Sequence, residues 1–117
     1  MLGIIYLLWR KIIKTMIIYS VQCIVKADSA AAWEKYFVEE HLDDVLNSGC
    51  FTAYTFKEEL SESGEEVLFI SDYFCPSQEV LDKYNQEFAP ALKQDVIEKF
   101  GGKFTATRKL YRLVRRK

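Results

Sequence analysis

The stretch "CFTAYTFKEELSESGEEVLFISDYFC", from Cys50 to Cys75, decides the fold of this 117-residue chain. Its two ends, Cys50–Leu60 and Val67–Cys75, are rich in the aromatic and β-branched residues that favour strands. The polar segment SESGEE between them is typical of a turn. The stretch therefore predicts an antiparallel hairpin in the middle of the chain.

Helical patterns flank this hairpin on both sides. Large side chains recur every four residues at Trp33, Phe37, His41 and Val45. This spacing predicts an amphipathic helix over residues 30–47. A second helical region covers residues 78–100, and Pro90 inside it predicts a kink or two shorter helices.

Strand patterns at the two ends complete the domain. Ile17–Val25 and Lys103–Val114 alternate side chains as strands do. The resulting order, βαββαβ, predicts an α+β, ferredoxin-like fold: a four-stranded antiparallel sheet with both helices on one face. We expect one such domain over residues 16–114, followed by a basic tail at residues 115–117.

The first fifteen residues, MLGIIYLLWRKIIKT, differ in character from this domain. The apolar run is far shorter than the roughly 20 residues of a spanning helix. Its basic residues follow the apolar run, whereas a secretory signal carries them before it. We therefore expect a leader upstream of a true start at Met16. The alternative is a short segment that packs on the domain or lies on a membrane surface.

Charge is unevenly distributed along the chain. Residues 16–107 hold seven lysines and all seventeen acidic residues, whereas residues 108–117 hold six basic ones. An acidic body repels nucleic-acid phosphates, and a short basic end alone gives only weak attraction. The sequence therefore argues against a nucleic-acid partner.

The three cysteines, Cys23, Cys50 and Cys75, are odd in number and widely spaced, and no CxxC motif occurs. This pattern predicts free thiols in a reducing compartment, so we expect a cytoplasmic protein. It gives no support to a metal site.

Large apolar side chains are predicted on both faces of the hairpin strands. In the second of these strands, Phe69 and Tyr73 lie on one face, and Leu68, Ile70 and Phe74 lie on the other. Only one face is covered by helices, and a sheet with one wet face should carry polar residues there. The sequence therefore predicts a homodimer in which two sheets stack face to face.

Two longer motifs identify a resemblance. These are HLDDVLNSGCF at His41–Phe51 and YNQEFAPALKQDVIEKFGGKFTATRKL at Tyr84–Leu110. Residues 16–114 resemble a family of small bacterial proteins known only as a domain of unknown function, itself similar to the dimeric α/β-barrel superfamily. That superfamily includes cofactor-free monooxygenases, haem-degrading enzymes, isomerases and binding proteins. The resemblance implies a ligand pocket between helices and sheet.

His41, the only histidine, lies on the apolar stripe of the first predicted helix. Facing such a pocket, it is a candidate catalytic base, haem ligand or hydrogen-bond anchor, since imidazole both donates and accepts protons. The alternative is a structural histidine that bonds Asp44 or a backbone carbonyl. Trp33, Phe37 and Asp44 are the neighbouring pocket candidates.

Asp72 lies inside an apolar strand, where an unpaired carboxylate is costly. Arg108 on the last strand is its predicted partner, as a structural ion pair or as a ligand-binding pair. Arg108 alone could also bind a ligand carboxylate through its planar guanidinium.

No phosphate loop, dinucleotide fingerprint, zinc motif or serine-hydrolase elbow occurs. We therefore expect a non-catalytic module that binds a small molecule or a protein. The alternative is a cofactor-free monooxygenase, an isomerase or a haem-binding or haem-degrading enzyme that uses His41. No cofactor is expected in the first case, and haem is the cofactor that the second allows.

Overall fold

The described residues form one four-stranded antiparallel sheet with helices on one face. The computed structural model describes residues 3–5, 16–62 and 64–117. The strands are β1 (Ile17–Lys26), β2 (Ala53–Glu58), β3 (Glu66–Cys75) and β4 (Phe104–Arg112). The helices are α1 (residues 30–46), α2 (Gln78–Glu87) and α3 (Ala89–Phe100), and a 3-10 turn, Ala27–Ser29, precedes α1.

The predicted α+β, ferredoxin-like order is thereby confirmed. The break in the second helical region also follows the prediction from Pro90, because α2 ends at Glu87 and α3 begins at Ala89. Of the predicted leader, all but residues 3–5 lie outside the described residues.

The strand order is β2-β3-β1-β4, so β1 and β3 are central. Register decides which side chains share a face. Val21 on β1 lies beside Ser71 on β3 and Arg108 on β4. The next residue, Ser20, lies beside Asp72 on β3, and this pair is on the opposite face.

The helix-facing side of the sheet is largely aromatic. Tyr19 packs against Phe51 and Tyr84, with ring centroids 6.2 and 6.1 Å apart. Phe56 on β2 stacks on Phe69 of β3 at 5.5 Å. Burying each such side chain contributes about 1.5–3 kcal/mol to folding. This layer is the core on which the helices lie.

A π-helical segment, Phe37–His41, interrupts α1 between its α-helical sections Ala30–Tyr36 and Leu42–Leu46. The Leu42 N–H donates to the Phe37 carbonyl, five residues earlier instead of four. His41 and Leu42, adjacent in sequence, are both buried, at 8% and 2% exposure. The four-residue spacing in the sequence predicts that His41 is buried, but it does not predict the burial of Leu42.

We call the sheet surface turned away from the helices the open face. On the central strands it carries Ile18, Ser20, Gln22, Ile24, Leu68, Ile70, Asp72 and Phe74, and on the edge strands it carries Ala53, Thr55, Lys57, Thr105, Thr107, Lys109 and Tyr111. The expectation that this face lacks polar residues is therefore wrong on the central strands, at Ser20, Gln22 and Asp72, and also at the edges. Polar and charged side chains there are typical of edge strands, which must avoid unwanted pairing.

The end of the chain returns to the open face. The Leu113 N–H donates to the Met16 carbonyl at 2.9 Å, extending the pairing of β4 with the start of β1. The Arg116 guanidinium then lies over the Phe74 ring, 5.4 Å from its centroid. Part of the basic tail thus contacts the open face at Phe74.

Candidate functional site

A cavity of about 200 Å³ lies between the helices and the sheet. Strands β1, β3 and β4 form one wall, and α1, α2 and α3 form the other. The polar or ionisable groups among its lining residues are Tyr19, Cys23, Trp33, His41, Tyr73, Tyr84, Lys93 and Arg108. The remaining lining is apolar. A largely apolar cleft with a few polar groups is the usual form of a small-molecule site.

Four sequence-predicted residues line this cavity: Trp33, Phe37, His41 and Arg108. The side chain of Asp44 is exposed on α1 and is not among the lining residues. Asp72 lies outside the cavity as well. The structure thus brings together the aromatic and basic candidates and separates the acidic ones from them.

The predicted ion pair between Asp72 and Arg108 is not formed. Asp72 is on the open face, whereas Arg108 is on the helix-facing side, because side chains alternate along each strand. Asp72 Oδ2 instead accepts a 2.8 Å charged hydrogen bond from Lys57 Nζ on the neighbouring strand. Its other oxygen, Oδ1, is buried without a hydrogen-bond partner among the described residues.

His41 is buried against aromatic rings. Its imidazole centroid lies 4.4 Å from that of Phe37 and 5.9 Å from that of Tyr36. Burial lowers the pKa of His41 to about 4, and the negative charges of Asp44 and Asp95 offset this only in part. The imidazole is therefore neutral at pH 7.

The Nδ1 atom of His41 is buried and has no hydrogen-bond partner in the described part of the chain. The structural alternative from the sequence expected a bond to Asp44 or to a carbonyl, and this nitrogen makes neither. An unpaired buried polar atom costs about 1–3 kcal/mol. A ligand or an ordered water that hydrogen-bonds to this nitrogen would remove that cost.

Trp33 repeats this arrangement about two helical turns earlier. It is fully buried, with its ring 4.6 Å from Phe37, 5.1 Å from Phe100 and 4.9 Å from Phe104 between centroids. Its Nε1–H group also lacks an acceptor among the described residues. Two side chains of the cavity wall thus carry unpaired polar atoms.

Two cations also line the cavity, both on exposed residues. Arg108 comes from β4 and Lys93 from α3. Partial burial and then the Arg108 charge lower the pKa of Lys93. Burial raises the pKa of Tyr19, and the nearby Arg108 guanidinium partly offsets that rise.

Sequence reasoning missed Lys93 and Cys23. A signal for Lys93 was present, because it follows the buried Ala89 by four residues and precedes the buried Val96 by three. A lysine in that position borders the apolar stripe of its helix.

The groups inside the cavity are uncharged near neutral pH. Burial raises the pKa of the Cys23 thiol to about 11, and it also raises the pKa values of Tyr73 and Tyr84. Cys23 is therefore not a thiolate nucleophile. The interior offers hydrogen bonds, aromatic surface and a neutral imidazole.

The cavity is small compared with haem. At about 200 Å³, the cavity lies below the roughly 300–1,000 Å³ of sites for drug-sized ligands, and haem is larger than most of those. In the described part of the chain, no cluster of three or more His, Cys, Asp or Glu side chains is arranged to hold a metal ion.

Comparison with known proteins gives a family and a fold. Residues 16–114 match the model of the family described as Domain of unknown function (DUF4286). No curated protein matches the sequence significantly. Among the described residues, no helix combines the length and the apolar character needed to cross a membrane.

Solved structures share the architecture. A Bacillus cereus protein provisionally named an antibiotic biosynthesis monooxygenase has TM-score 0.65 and 10% identity, covering 88% of this chain and 97% of that one. SnoaB, a cofactor-independent oxygenase from Streptomyces nogalater, has TM-score 0.61 and 9% identity, covering 86% and 95%. MhuD, a haem degrader from Mycobacterium tuberculosis with two haems in its active site, has TM-score 0.56 and 22% identity, covering 85% and 97%. At these identities the likeness establishes the fold alone, a four-stranded antiparallel sheet with helices.

Proposed function

The chain belongs to the DUF4286 family, and on that premise we propose that it is a homodimeric protein that binds a small molecule in its cavity without catalysing a reaction. We further propose that it needs no cofactor and acts in the cytoplasm, where its three buried free cysteines would stay reduced.

One observation carries this proposal. Trp33 Nε1 and His41 Nδ1 are buried, lack partners in the described chain and belong to side chains that line one cavity. Buried polar groups nearly always have a hydrogen-bond partner. Two that lack one at the same cavity favour a bound molecule as their partner. A volume of about 200 Å³ suits a one-ring ligand, since a cavity of about 150 Å³ holds benzene.

Catalysis by His41 is less well supported. A general base is most effective when its pKa lies near the working pH. Burial holds the pKa of His41 near 4, so the imidazole is a weak base at pH 7. A cofactor-free monooxygenase or isomerase would need a stronger base, and a haem-degrading enzyme would need a larger cavity.

Filling the cavity tests the proposal. Ala106 lies in the wall, and Ala106→Leu should occupy part of the space. The probes are one-ring compounds (phenol, benzamide and benzoate), and binding is read by calorimetry and thermal shift. At a concentration of 100 Kd, a bound probe should stabilise the protein by about 2.7 kcal/mol.

We expect Ala106→Leu to weaken binding of every bound probe at least tenfold while the protein stays folded. The matched control is Ala91→Leu, an exposed position of α3 outside the cavity, which should bind as the wild type does. Equal binding by both variants would place the probes elsewhere and contradict the proposal.

The open face supports the homodimer. Ile70 is half-buried at its centre, between β1 and β2, and Phe74 lies further along the same strand. Ile18, Ile24 and Leu68 add apolar surface on the same face, although Ser20, Gln22 and Asp72 lie among them. The polar side chains of the edge strands fit the rim of an interface.

A charge at this centre should dissociate the dimer. The wild type is expected to sediment with twice the 13.7 kDa chain mass, and Ile70→Lys as a monomer, because a lysine would be buried between two sheets. Val38→Lys is the control, since Val38 is 56% exposed on α1, and it should remain dimeric. A monomeric wild type at micromolar concentration would contradict the proposed homodimer.

A further inference from the structure

Two cations converge on the wall of an otherwise uncharged cavity. Arg108 and Lys93 come from different elements, β4 and α3, and both line it. Neither the Arg108 guanidinium nor the Lys93 ammonium lies within 4.0 Å of a carboxylate oxygen in residues 3–5, 16–62 and 64–117.

We propose that the cavity takes a small aromatic carboxylate, with its ring inside the cavity and its carboxylate between Arg108 and Lys93. This inference rests on the proposed function, because it names the class of ligand for the same site. The planar guanidinium of Arg108 matches a carboxylate through two parallel hydrogen bonds, and Lys93 supplies a second charge.

Like charges held close together repel, and the repulsion is relieved when an anion lies between them. The closeness of this pair is reflected in the pKa of Lys93, which partial burial and the Arg108 charge both lower. The arrangement is notable because the rest of the domain is acidic, with net charge −10 over residues 16–107. A local positive site in an otherwise acidic domain would bind the negatively charged group of a ligand beside Arg108 and Lys93.

The interior explains why the remainder of the ligand should be an uncharged ring. Trp33, Phe37 and Tyr73 provide flat apolar surface, and no charged group other than Lys93 and Arg108 is among the lining residues. A second charge inside would be desolvated without a partner. Hydrogen-bonding substituents on the ring are allowed, since Trp33 Nε1 and His41 Nδ1 are unpaired in the described chain.

The test compares acids with their uncharged isosteres on the full chain. Benzoate, 4-hydroxybenzoate and phenylacetate are titrated calorimetrically beside benzamide, 4-hydroxybenzamide and phenylacetamide. Each acid is expected to bind at least tenfold more tightly than its amide. Arg108→Gln should remove that difference by weakening the acid and leaving the amide unchanged, and Lys93→Gln should reduce it several-fold.

Lys109→Gln is the matched control, because Lys109 adjoins Arg108 on β4 but lies on the open face. It should leave both affinities unchanged. Equal binding of acids and amides, or an equal loss of both in Arg108→Gln, overturns the anion inference and leaves the proposed function standing. No binding of any acid or amide overturns the proposed function and this inference with it.

Discussion

Replacing Trp33 by alanine is expected to lower the free energy of unfolding by about 3–5 kcal/mol. The indole is fully buried and packs on Phe37, Phe100 and Phe104. The alanine variant loses the packing contacts of a large buried side chain, and the cavity beside Trp33 becomes larger. Such a loss is a large share of a typical domain's stability of 5–15 kcal/mol.

Trp33→Phe separates this packing role from the role of the indole nitrogen. It keeps an aromatic ring and removes an N–H that has no acceptor in the described chain, so we expect it to cost less than about 2 kcal/mol. Both variants are compared with the wild type by denaturant unfolding at one protein concentration, because the proposed dimerisation would make apparent stability concentration-dependent. Similar losses in both variants would contradict the packing account.

Acid should destabilise the protein through His41. Above pH 6.5, the imidazole is neutral in both the folded and the unfolded chain. Between pH 6.5 and 4, the unfolded chain binds a proton that folded His41, with its pKa near 4, does not. The free energy of unfolding therefore falls as pH falls through this window, by about 2–3 kcal/mol between pH 7 and pH 4.5.

The variant His41→Gln isolates this contribution, because glutamine stays neutral throughout. Unfolding free energies of wild type and variant are measured at pH 7 and pH 4.5. The wild type should lose about 2–3 kcal/mol more than the variant does. Asp44 and Asp95, whose charges favour protonated His41, are present in both proteins. Equal losses would mean that the imidazole is not held neutral by burial.

The architecture could be predicted because local patterns determine it. The hairpin, the flanking helices and the break at Pro90 follow from periodicity, turn residues and the geometry of proline. Gly49 follows the first helix, and its φ of +76° is the left-handed conformation in which a glycine commonly ends a helix. Each of these features depends on a few neighbouring residues.

The arrangement of the site could be predicted only in part. Trp33, Phe37 and His41 share one helical stripe, so their common cavity follows from spacing. The separation of Asp72 from Arg108 depends on the register of three strands, and a shift of one residue reverses a side chain's face. Lys93 approaches Arg108 only through tertiary packing of α3 on β4, which no local pattern records.

The π-helical segment, Phe37–His41, has a consequence for alignment. A regular α-helix turns by 100° per residue, and one extra residue in a turn displaces everything after it by that angle. When α1 is compared with an uninterrupted helix of a related protein, a one-residue gap is needed between Phe37 and Leu42. Without it, Leu42 is matched with a column that points away from the core, because in a regular helix the residue nine positions after Trp33 lies on the opposite side.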